Sequence, residues 1–362
     1  MFFGREPRFA ARSWLSRGGG FIFRRQAILG LVLRLGFGIL KPLQPCIAIN
    51  RNGMKTGNGM DSLAAHLPQR MKSRTTAKAT LRMHREEPLA REIRNVARGQ
   101  IDAVCRVLEG SEDSCRAVHE ARKSLKKLRA ILRLVASEFS REQYQLEKRA
   151  YQEAARLLAP LRDAEVRVLT LDTLIQGAEL DPADFAQLRG ELQADTERLA
   201  HRLTRPKHRA VEILRTARRR IPRWPVRHLE WKPLEREIRR TYQKGRKALR
   251  RYQQEPTPEC FHAWRKRVKE LWYHLRITEK FLPEAVTKAI APCEKIGELA
   301  GEAQDLAVLR ETLSARNAGA ENALLIGEIE VRLPEIYRSA VERGTSLYTE
   351  KPRDFMKRGC QR

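Results

Sequence analysis

One arrangement of residues occurs twice in this chain, in segments that begin at positions 118 and 261 and read VHEARKSLKKLRAILRL and FHAWRKRVKELWYHLRI. His262 follows His119 by 143 residues. The triplet REI at position 91 recurs at 236, and Asp305 in AQDLAV follows Asp163 in LRDAEV by 142 residues. Three landmarks at nearly one offset predict an internal duplication. The two halves are therefore expected to share one fold.

The apolar pattern from residue 89 onward is typical of helices, because apolar residues recur three and four positions apart and strand-like alternation is absent. This predicts an all-α chain with a four-helix unit in each half. In the first half we predict helices at about 89–109, 112–139, 141–175 (kinked at Pro160) and 182–220 (broken near Pro206). In the second half we predict helices at 233–252, 257–281, 283–315 (interrupted near Pro292) and 321–348. Pro334 disfavours a regular helix in the last of these segments.

The predicted boundaries divide the chain into several parts. The regular region spans residues 85–350, with a first half at 85–220, a proline- and tryptophan-rich linker at 221–232 and a second half at 233–350. A flexible tail is predicted at 351–362. Residues 1–70 are basic and glycine-rich, and we predict an extension without regular structure. A transit-like segment, a membrane-surface segment and an upstream extension of the true start remain alternatives, and charges interrupt its apolar run, which argues against a membrane span.

On a helix, each repeated segment separates into a cationic face and an apolar face. The cationic face of the first segment holds His119, Arg122, Lys123, Lys126 and Arg133, with Arg129 an additional candidate. That of the second holds His262, Arg265, Lys266, Lys269, Tyr273 and Arg276. The opposite faces consist of Val118, Ala121, Leu125, Leu128 and Leu132, and of Phe261, Trp264, Val268, Leu271 and Leu275.

The cationic faces predict a polyanionic partner. Like charges four residues apart destabilise a helix slightly, and Glu120 and Glu270 lie off the centre of these faces. For either copy alone, the alternative is an ordinary basic helix that faces solvent. The duplication disfavours this alternative, because the same cationic face occurs in both copies. A row of lysines and arginines matches a linear chain of phosphates. The formal net charge of +28 agrees with this interpretation.

Other residues are candidates for the same surface. Arg98 lies on the first predicted helix, and Arg239 and Arg246 lie on its counterpart. Tyr242 fits either this surface or the core. We expect Asp163 and Asp305 to pair with the cations and hold their side chains in place, and we expect the cationic neighbours of the two histidines to lower their pKa values.

The pattern H-x-x-R-K-x-x-K, present twice in a duplicated helical frame, resembles the CHAD family, the conserved histidine α-helical domain. The resemblance extends from about residue 89 to 348 and includes LAPLRDAEV, IGELAGEAQDLAVL and RRTYQKGRKAL. It implies two four-helix bundles related by a pseudo-two-fold axis, a basic central cavity, and binding of inorganic polyphosphate at polyphosphate granules. The implied binding set is His119, Arg122, Lys123, Lys126, His262, Arg265, Lys266 and Lys269.

Other functions remain as alternatives. Many members of that family carry an upstream triphosphate-tunnel domain with an E-x-E-x-K strand, but no such motif precedes residue 89, so we expect a stand-alone binding domain rather than an enzyme. The duplicated aspartates leave phosphate transfer or hydrolysis as an alternative. Nucleic-acid binding is another, and at low salt non-specific binding is expected from the charge alone. We expect no metal and no cofactor. Six cysteines without zinc-like spacing favour a reducing, cytoplasmic setting.

Overall fold

Helices account for the regular structure of this protein. The computed structural model describes residues 81–84, 86–316 and 319–357, and within these ranges it contains no strand. The predicted all-α class is confirmed, whereas the extension predicted at 1–70 lies outside the described residues. The helices are α1 (Leu89–Gly110), α2 (Ser114–Leu134), α3 (Arg141–Leu157), α4 (Ala159–Gly177), α5 (Ala186–His201), α6 (Thr204–Arg220), α7 (Trp231–Gln254), α8 (Pro258–Thr278), α9 (Glu284–Thr287), α10 (Ile290–Ser314), α11 (Ala320–Leu347) and α12 (Pro352–Lys357).

The two repeated segments form α2 and α8, and similar local signals start them. The Asp113 side chain accepts a hydrogen bond from the Arg116 amide at 3.0 Å. At α8, the Thr257 hydroxyl accepts one from the Cys260 amide at 3.3 Å, and Pro258 occupies the first helical position. Three residues join α1 to α2, and three join α7 to α8. The local structure of the two copies is therefore alike, while the pseudo-two-fold relation of whole bundles stays a prediction.

The apolar faces predicted for α2 and α8 are buried in the core. On α2, Val118, Ala121 and Leu128 are fully buried, and on α8 so are Trp264 and Leu271. Burying each large side chain of this kind stabilises the fold by roughly 1.5–3 kcal/mol. Each helix is thereby fixed about its own axis, and the opposite, cationic face is turned away from the core.

Prolines lie at or near several breaks between helices, as predicted in part. The single helix predicted at 141–175 is two helices, because α3 ends at Leu157 and Pro160 lies in the first turn of α4. The helix predicted at 283–315 is interrupted as expected: α9 ends at Thr287 and α10 begins at Ile290, with Pro292 in the first turn of α10, where an amide proton has no helical partner. Pro334 lies inside a continuous α11. The segment predicted at 182–220 begins with a 3₁₀ turn and continues as α5 and α6, which start afresh near Pro206.

The described part of the tail predicted to be flexible at 351–362 is largely helical, whereas residues 358–362 lie outside the described residues. Residues 352–357 form α12, and Phe355 is fully buried. The Phe355 ring stacks on Tyr242 with centroids 4.1 Å apart. Tyr242 is itself fully buried, and its hydroxyl donates to the Leu347 carbonyl oxygen at 3.1 Å. Tyr242 is therefore a core residue, which resolves the alternative that its sequence position left open.

The helix packing brings the functional elements together. Helix α2 contacts α8 and α4, and α8 and α4 both contact α10. These four helices carry both repeated basic segments and both segments with a duplicated aspartate. The described residues all belong to one compact unit. The candidate site is therefore built where the two halves of the sequence meet.

Candidate polyanion-binding site

The two cationic faces meet at Lys126. Its side chain is solvent-exposed, yet it lies in a concave region surrounded by other protein atoms. This partial desolvation, followed by the charges of Arg122, Arg265, Lys269 and Arg162, lowers the pKa of Lys126 to about 8. Because Arg265 and Lys269 belong to α8, cations from both copies of the repeat share one region. The expected convergence of the two rows is thus present at this point.

The two histidines lie at the amino-terminal ends of the rows and are half-buried. Partial burial, and then the charges of Arg162 and Lys123, lower the pKa of His119. For His262, partial burial is again the largest cause, followed by Lys266 and Arg265. Both directions agree with the sequence prediction, although burial contributes more than the neighbouring cations. An anion bound beside either ring would favour the protonated form.

The duplicated aspartates lie against the arginines of the rows. An Asp163 carboxylate oxygen is 3.7 Å from an Arg122 guanidinium nitrogen. Partial burial raises the pKa of Asp305, and the charge of Arg265 is the strongest opposing effect. The Arg122 guanidinium also donates to the Ala155 carbonyl oxygen at 3.2 Å, near the end of α3, where carbonyls lack helical partners. Asp163 thus lies near Arg122 and Asp305 is influenced by Arg265, while the holding role expected for the two acids stays a prediction.

Two glycines of α10 lie next to the α8 cations, and one of them provides the space that a cation occupies. A Cβ atom on Gly297 would lie 2.8 Å from Cδ of Lys269, whereas one on Gly301 would lie 3.6 Å from an Arg265 guanidinium nitrogen. The first distance is too short for a side chain, and the second is an ordinary contact. Gly297, Gly301 and Asp305 recur every four residues and share one face of α10. Lys269 therefore lies directly against the α10 backbone.

Aromatic rings also border the second row. The Lys269 ammonium lies 5.0 Å from the centroid of the Trp272 ring, which is within the range of a cation–π interaction. Burial raises the pKa of Tyr273 to about 12, and the charge of Arg265 opposes this. Tyr273 is thus a neutral hydroxyl close to the site, and it holds no charge that would repel an anion.

The exposed lysines of the two rows differ in their pairing. Lys123 donates to a Glu120 carboxylate oxygen at 2.9 Å, so one acid partly neutralises it. Glu120 also lies 4.0 Å from His119. Lys266 is exposed and acts electrostatically on His262. The first row consequently has less free positive charge at its start than the sequence pattern suggested.

Arg129 and Arg133 belong to a separate, partly neutralised group. Arg133 lies 3.7 Å from the buried carboxylate of Glu270, and Arg267 donates to the same carboxylate at 2.9 Å. The pKa of Arg129 is lowered by burial and then by the charge of Arg133. Glu270 was expected off the centre of the α8 face, and it instead pairs with the α2 row. Arg133 is therefore engaged in an ion pair between the two repeats.

Three further candidates are not brought to this region by any described contact. Arg98 donates to the Asn95 side chain at 3.0 Å, and Arg246 donates to the Tyr348 carbonyl oxygen at 3.1 Å. Arg239 is half-buried on α7. No hydrogen bond or ion pair within the described residues connects these three to the rows on α2 and α8.

Arg162 belongs to the site, although the sequence analysis did not select it. It acts electrostatically on His119, Arg122, Lys126 and Asp305. It also donates to Glu165 at 2.7 Å. Its position directly before the duplicated aspartate was the available signal. Its counterpart in the second copy is Gln304, which hydrogen-bonds to His262, so the two copies surround their histidines differently.

In the part of the chain that the structure describes, no cluster of three or more His, Cys, Asp or Glu side chains is arranged to hold a metal ion. No helix in residues 81–84, 86–316 and 319–357 is both long and apolar enough to cross a membrane.

Comparison with known proteins gives one family and one fold. The family model of the CHAD domain matches residues 95–314, which is more than half of the chain. Among solved structures, the CHAD domain from the plant Ricinus communis is similar in fold, with a TM-score of 0.57 and 17% sequence identity. The match covers 70% of this chain and 91% of that one. No curated protein matches the chain significantly.

Proposed function

The chain belongs to the CHAD domain family, and from this premise we propose that it binds inorganic polyphosphate through the rows of α2 and α8. The core of the proposed site consists of His119, Arg122, Lys126, Arg162, His262, Arg265 and Lys269, with Lys123 and Lys266 at its exposed border. The resemblance stated from the sequence implies this ligand, and the geometry of the site supports it.

The observation that carries the proposal is the convergence of cations on Lys126. The charges of Arg122, Arg265 and Lys269 act together there, and the ammonium is less stable than in water. Such an arrangement costs free energy in the empty protein. A phosphate polymer would repay this cost, because each of its units carries negative charge and can accept several hydrogen bonds. One compact anion would reach only part of the surface.

The aromatic residues favour polyphosphate over single-stranded nucleic acid. Stacking platforms for bases need exposed rings, but Trp264 and Trp224 are buried. Trp272 is half-buried, and its ring already contacts Lys269. The cationic rows thus supply charge and hydrogen-bond donors, with little exposed aromatic surface on which the successive bases of a strand could stack. Nucleic acid remains the second candidate ligand, because the net charge of +28 favours any phosphate polymer.

We propose binding, not catalysis, as the activity. Asp163 and Asp305 contact or face arginines, which suits carboxylates that hold cations in position. If this is right, the purified protein will release no orthophosphate from polyphosphate, with or without added Mg²⁺ or Mn²⁺. Release at a rate that falls in an Asp163→Asn or Asp305→Asn variant would contradict the proposal and favour hydrolysis.

Competition tests the choice of ligand. Long-chain polyphosphate and duplex DNA, at equal phosphate concentration and about 150 mM salt, should be titrated against the full chain carrying a labelled polyphosphate. We expect polyphosphate to displace the label at much lower concentration. If DNA displaces it equally well or better, the nucleic-acid alternative is correct.

A pair of double variants tests the site. His119→Ala with Arg122→Ala should weaken polyphosphate binding by at least about tenfold, because two of its donors are removed. Arg205→Ala with Arg209→Ala, at exposed positions of α6, removes two positive charges elsewhere, at least as many as the first double variant, and serves as the control. Equal losses in both double variants would indicate a diffuse charge effect without a defined site. Thermal unfolding should show that the first double variant remains folded.

Association with polyphosphate granules is the cellular counterpart of this proposal. A fluorescently tagged copy should form foci in cells that accumulate polyphosphate and should be diffuse in cells that cannot synthesise it. The His119→Ala, Arg122→Ala double variant should be diffuse in both. Foci that persist without polyphosphate would contradict a role at granules.

A further inference from the structure

A side pocket of about 270 Å³ opens between α4, α10 and α11. Its lining combines apolar side chains, hydroxyls and charges of both signs. The lining residues are Arg162, Val166, Leu169, Thr170, Thr173, Leu174, Glu302, Asp305, Leu306 and Arg332. This volume is close to the lower end of the range for small-molecule sites.

The pocket adjoins the polyanion site, because Arg162 and Asp305 line the pocket and also act electrostatically on the cations of the rows. Arg162 lines the pocket and acts electrostatically on Lys126 and His119. Asp305 lines the pocket and faces Arg265. A molecule with phosphates on the α2 and α8 rows can therefore extend a second part into this space.

The wall of the pocket is unsuited to phosphate alone. Leu169 keeps 50% of its surface exposed, which is unusual for a large apolar residue in this protein. Thr170 donates to the Val166 carbonyl oxygen at 2.7 Å, and Thr173 donates to that of Leu169 at 2.8 Å. Both hydroxyls keep a lone pair that can accept a hydrogen bond. The wall thus offers apolar contact together with polar groups that recognise the edge of a ring.

Arg332 places a second guanidinium in the pocket. Its guanidinium nitrogens lie 2.7 and 2.8 Å from where a Cβ atom on Gly177 would be, so the glycine leaves the space that this side chain occupies. No described residue forms a hydrogen bond or an ion pair with Arg332. The pocket is therefore bordered by Arg162 toward the phosphate rows and by Arg332 on α11.

We propose that this pocket binds the nucleoside part of a nucleoside triphosphate whose phosphates occupy the cationic rows. The inference rests on the proposed function, since it uses the same cations for the phosphates. The base would pack on Leu169 and Val166, with Arg332 near its face or edge. The Glu302 and Asp305 carboxylates can accept hydrogen bonds from ribose hydroxyls or from an exocyclic amine.

Comparison of ATP with tripolyphosphate tests the inference. Binding of each to the full chain should be measured by calorimetry without divalent metal. Tripolyphosphate carries more charge at neutral pH, so electrostatics alone favours it. We expect ATP to bind at least about fivefold more tightly, because the nucleoside adds apolar contact.

Matched substitutions identify the pocket as the source of that preference. Leu169→Glu should abolish the ATP-over-tripolyphosphate ratio, whereas Leu146→Glu should leave it unchanged. Leu146 is the control because its exposure, 52%, is nearly the same and it lies on α3, outside the pocket. Arg332→Ala should lower the ratio, and Arg338→Ala, also on α11, should not. The ratio is insensitive to a general loss of anion affinity.

The outcomes separate this inference from the proposed function. If tripolyphosphate and long-chain polyphosphate bind but ATP binds no more tightly than tripolyphosphate, the pocket inference is wrong and the proposed function stands. If neither phosphate polymer binds, the proposed function fails and this inference fails with it. An unchanged ratio in Leu169→Glu also rules out this pocket.

Discussion

Lys126 gives the site a predicted dependence on pH. The pKa of this ammonium in the empty protein is about 8, and a bound polyanion should raise it toward its usual value. The bound state then holds more protons than the free state above pH 8. The contribution of Lys126 to polyphosphate affinity should therefore be constant below about pH 7 and should decrease as the pH rises through 8 to 10.

This dependence is checked by calorimetry at several pH values and in buffers of different ionisation enthalpy. The wild type should take up protons on binding near pH 8.5. A Lys126→Met variant should bind more weakly and show a flatter pH profile. If the variant keeps the same proton uptake as the wild type, another group is responsible.

The glycine face of α10 provides a second prediction for single residues. Gly297→Ala should displace Lys269, whose flexible end can move, and polyphosphate affinity should decrease several-fold. Gly301→Ala meets only an ordinary contact and is the control. Alanine in a helix is favoured over glycine by about 0.5–1 kcal/mol, so neither variant should lose stability. Titration and urea unfolding measure the two effects, and equal affinities in both variants would contradict the role of Gly297.

Single residues also show what the sequence could not predict. The helical period placed Arg133 on the cationic face, but its ion pair with Glu270 joins residues 137 positions apart in the sequence. Arg162 was missed because its importance depends on the packing of α4 beside α2. Both cases depend on contacts between helices, which the spacing within one helix does not contain.

Among the helices, the crossing of α2 and α8 depends on His274. This fully buried ring lies 3.2 Å from the Ala130 carbonyl oxygen through Nε2 and 3.2 Å from the Thr241 hydroxyl through Nδ1. The carbonyl can only accept, so Nε2 carries the proton and Nδ1 accepts from Thr241. One neutral imidazole thereby connects α2, α7 and α8.

Acid should weaken this connection. Burial lowers the pKa of His274 to about 4, well below its value of about 6.5 in an unfolded chain. The unfolded state therefore binds a proton first as the pH falls. The free energy of unfolding should decrease between about pH 6.5 and 4, by up to about 3 kcal/mol from this residue.

Urea unfolding at pH 4.5 to 7.5 measures the effect. A His274→Gln variant should be less stable at pH 7.5, because the connection is altered, but its stability should change less with pH than that of the wild type. His208→Gln, at an exposed position on α6, is the matched control. A His274→Gln profile parallel to the wild type would contradict the assignment.

Most helix boundaries were predictable to within a few residues, but the effect of each proline was not. Pro160 lies at the start of a new helix, Pro292 follows a break and lies in a first turn, and Pro334 is accommodated inside α11. Pro334 and Glu330, whose carbonyl lacks a helical amide partner, are both exposed to water. The outcome depends on the solvent and neighbours at each proline, and the residue type alone does not determine it.

For the molecule as a whole, the charge predicts a response to ionic conditions. A net charge of +28 destabilises the folded state by self-repulsion, which salt screens. The melting temperature of the empty protein should therefore rise with NaCl. Polyphosphate at about 100 times its dissociation constant should add about 2.7 kcal/mol, or a rise of roughly 5–10 °C.

Scanning fluorimetry checks this expectation, with orthophosphate at equal phosphate concentration as the control. Orthophosphate should act only through ionic strength. If polyphosphate raises the melting temperature no further than orthophosphate does, a polymer-specific site is contradicted.

The class and family of the whole chain were predictable, and the resemblance implied a basic central cavity, but the helical period alone did not indicate how the two halves meet. The helical period of α2 and α8 indicates which face of each is cationic. It does not indicate that Lys126 from one copy would lie among Arg265 and Lys269 from the other. That relation follows from the packing of four helices, and the duplication alone leaves it open.

The crowding of cations around Lys126 also bears on how this protein is handled. The like charges of this surface repel one another when no anion is bound, and almost any phosphate polymer can neutralise them. Such a polymer will therefore occupy the surface soon after the cells are broken open. Protein eluted at low ionic strength should thus carry nucleic acid or polyphosphate from the extract, visible as excess absorbance at 260 nm or as phosphate after acid digestion. The empty form has to be prepared, by washing in concentrated salt, before any affinity is measured.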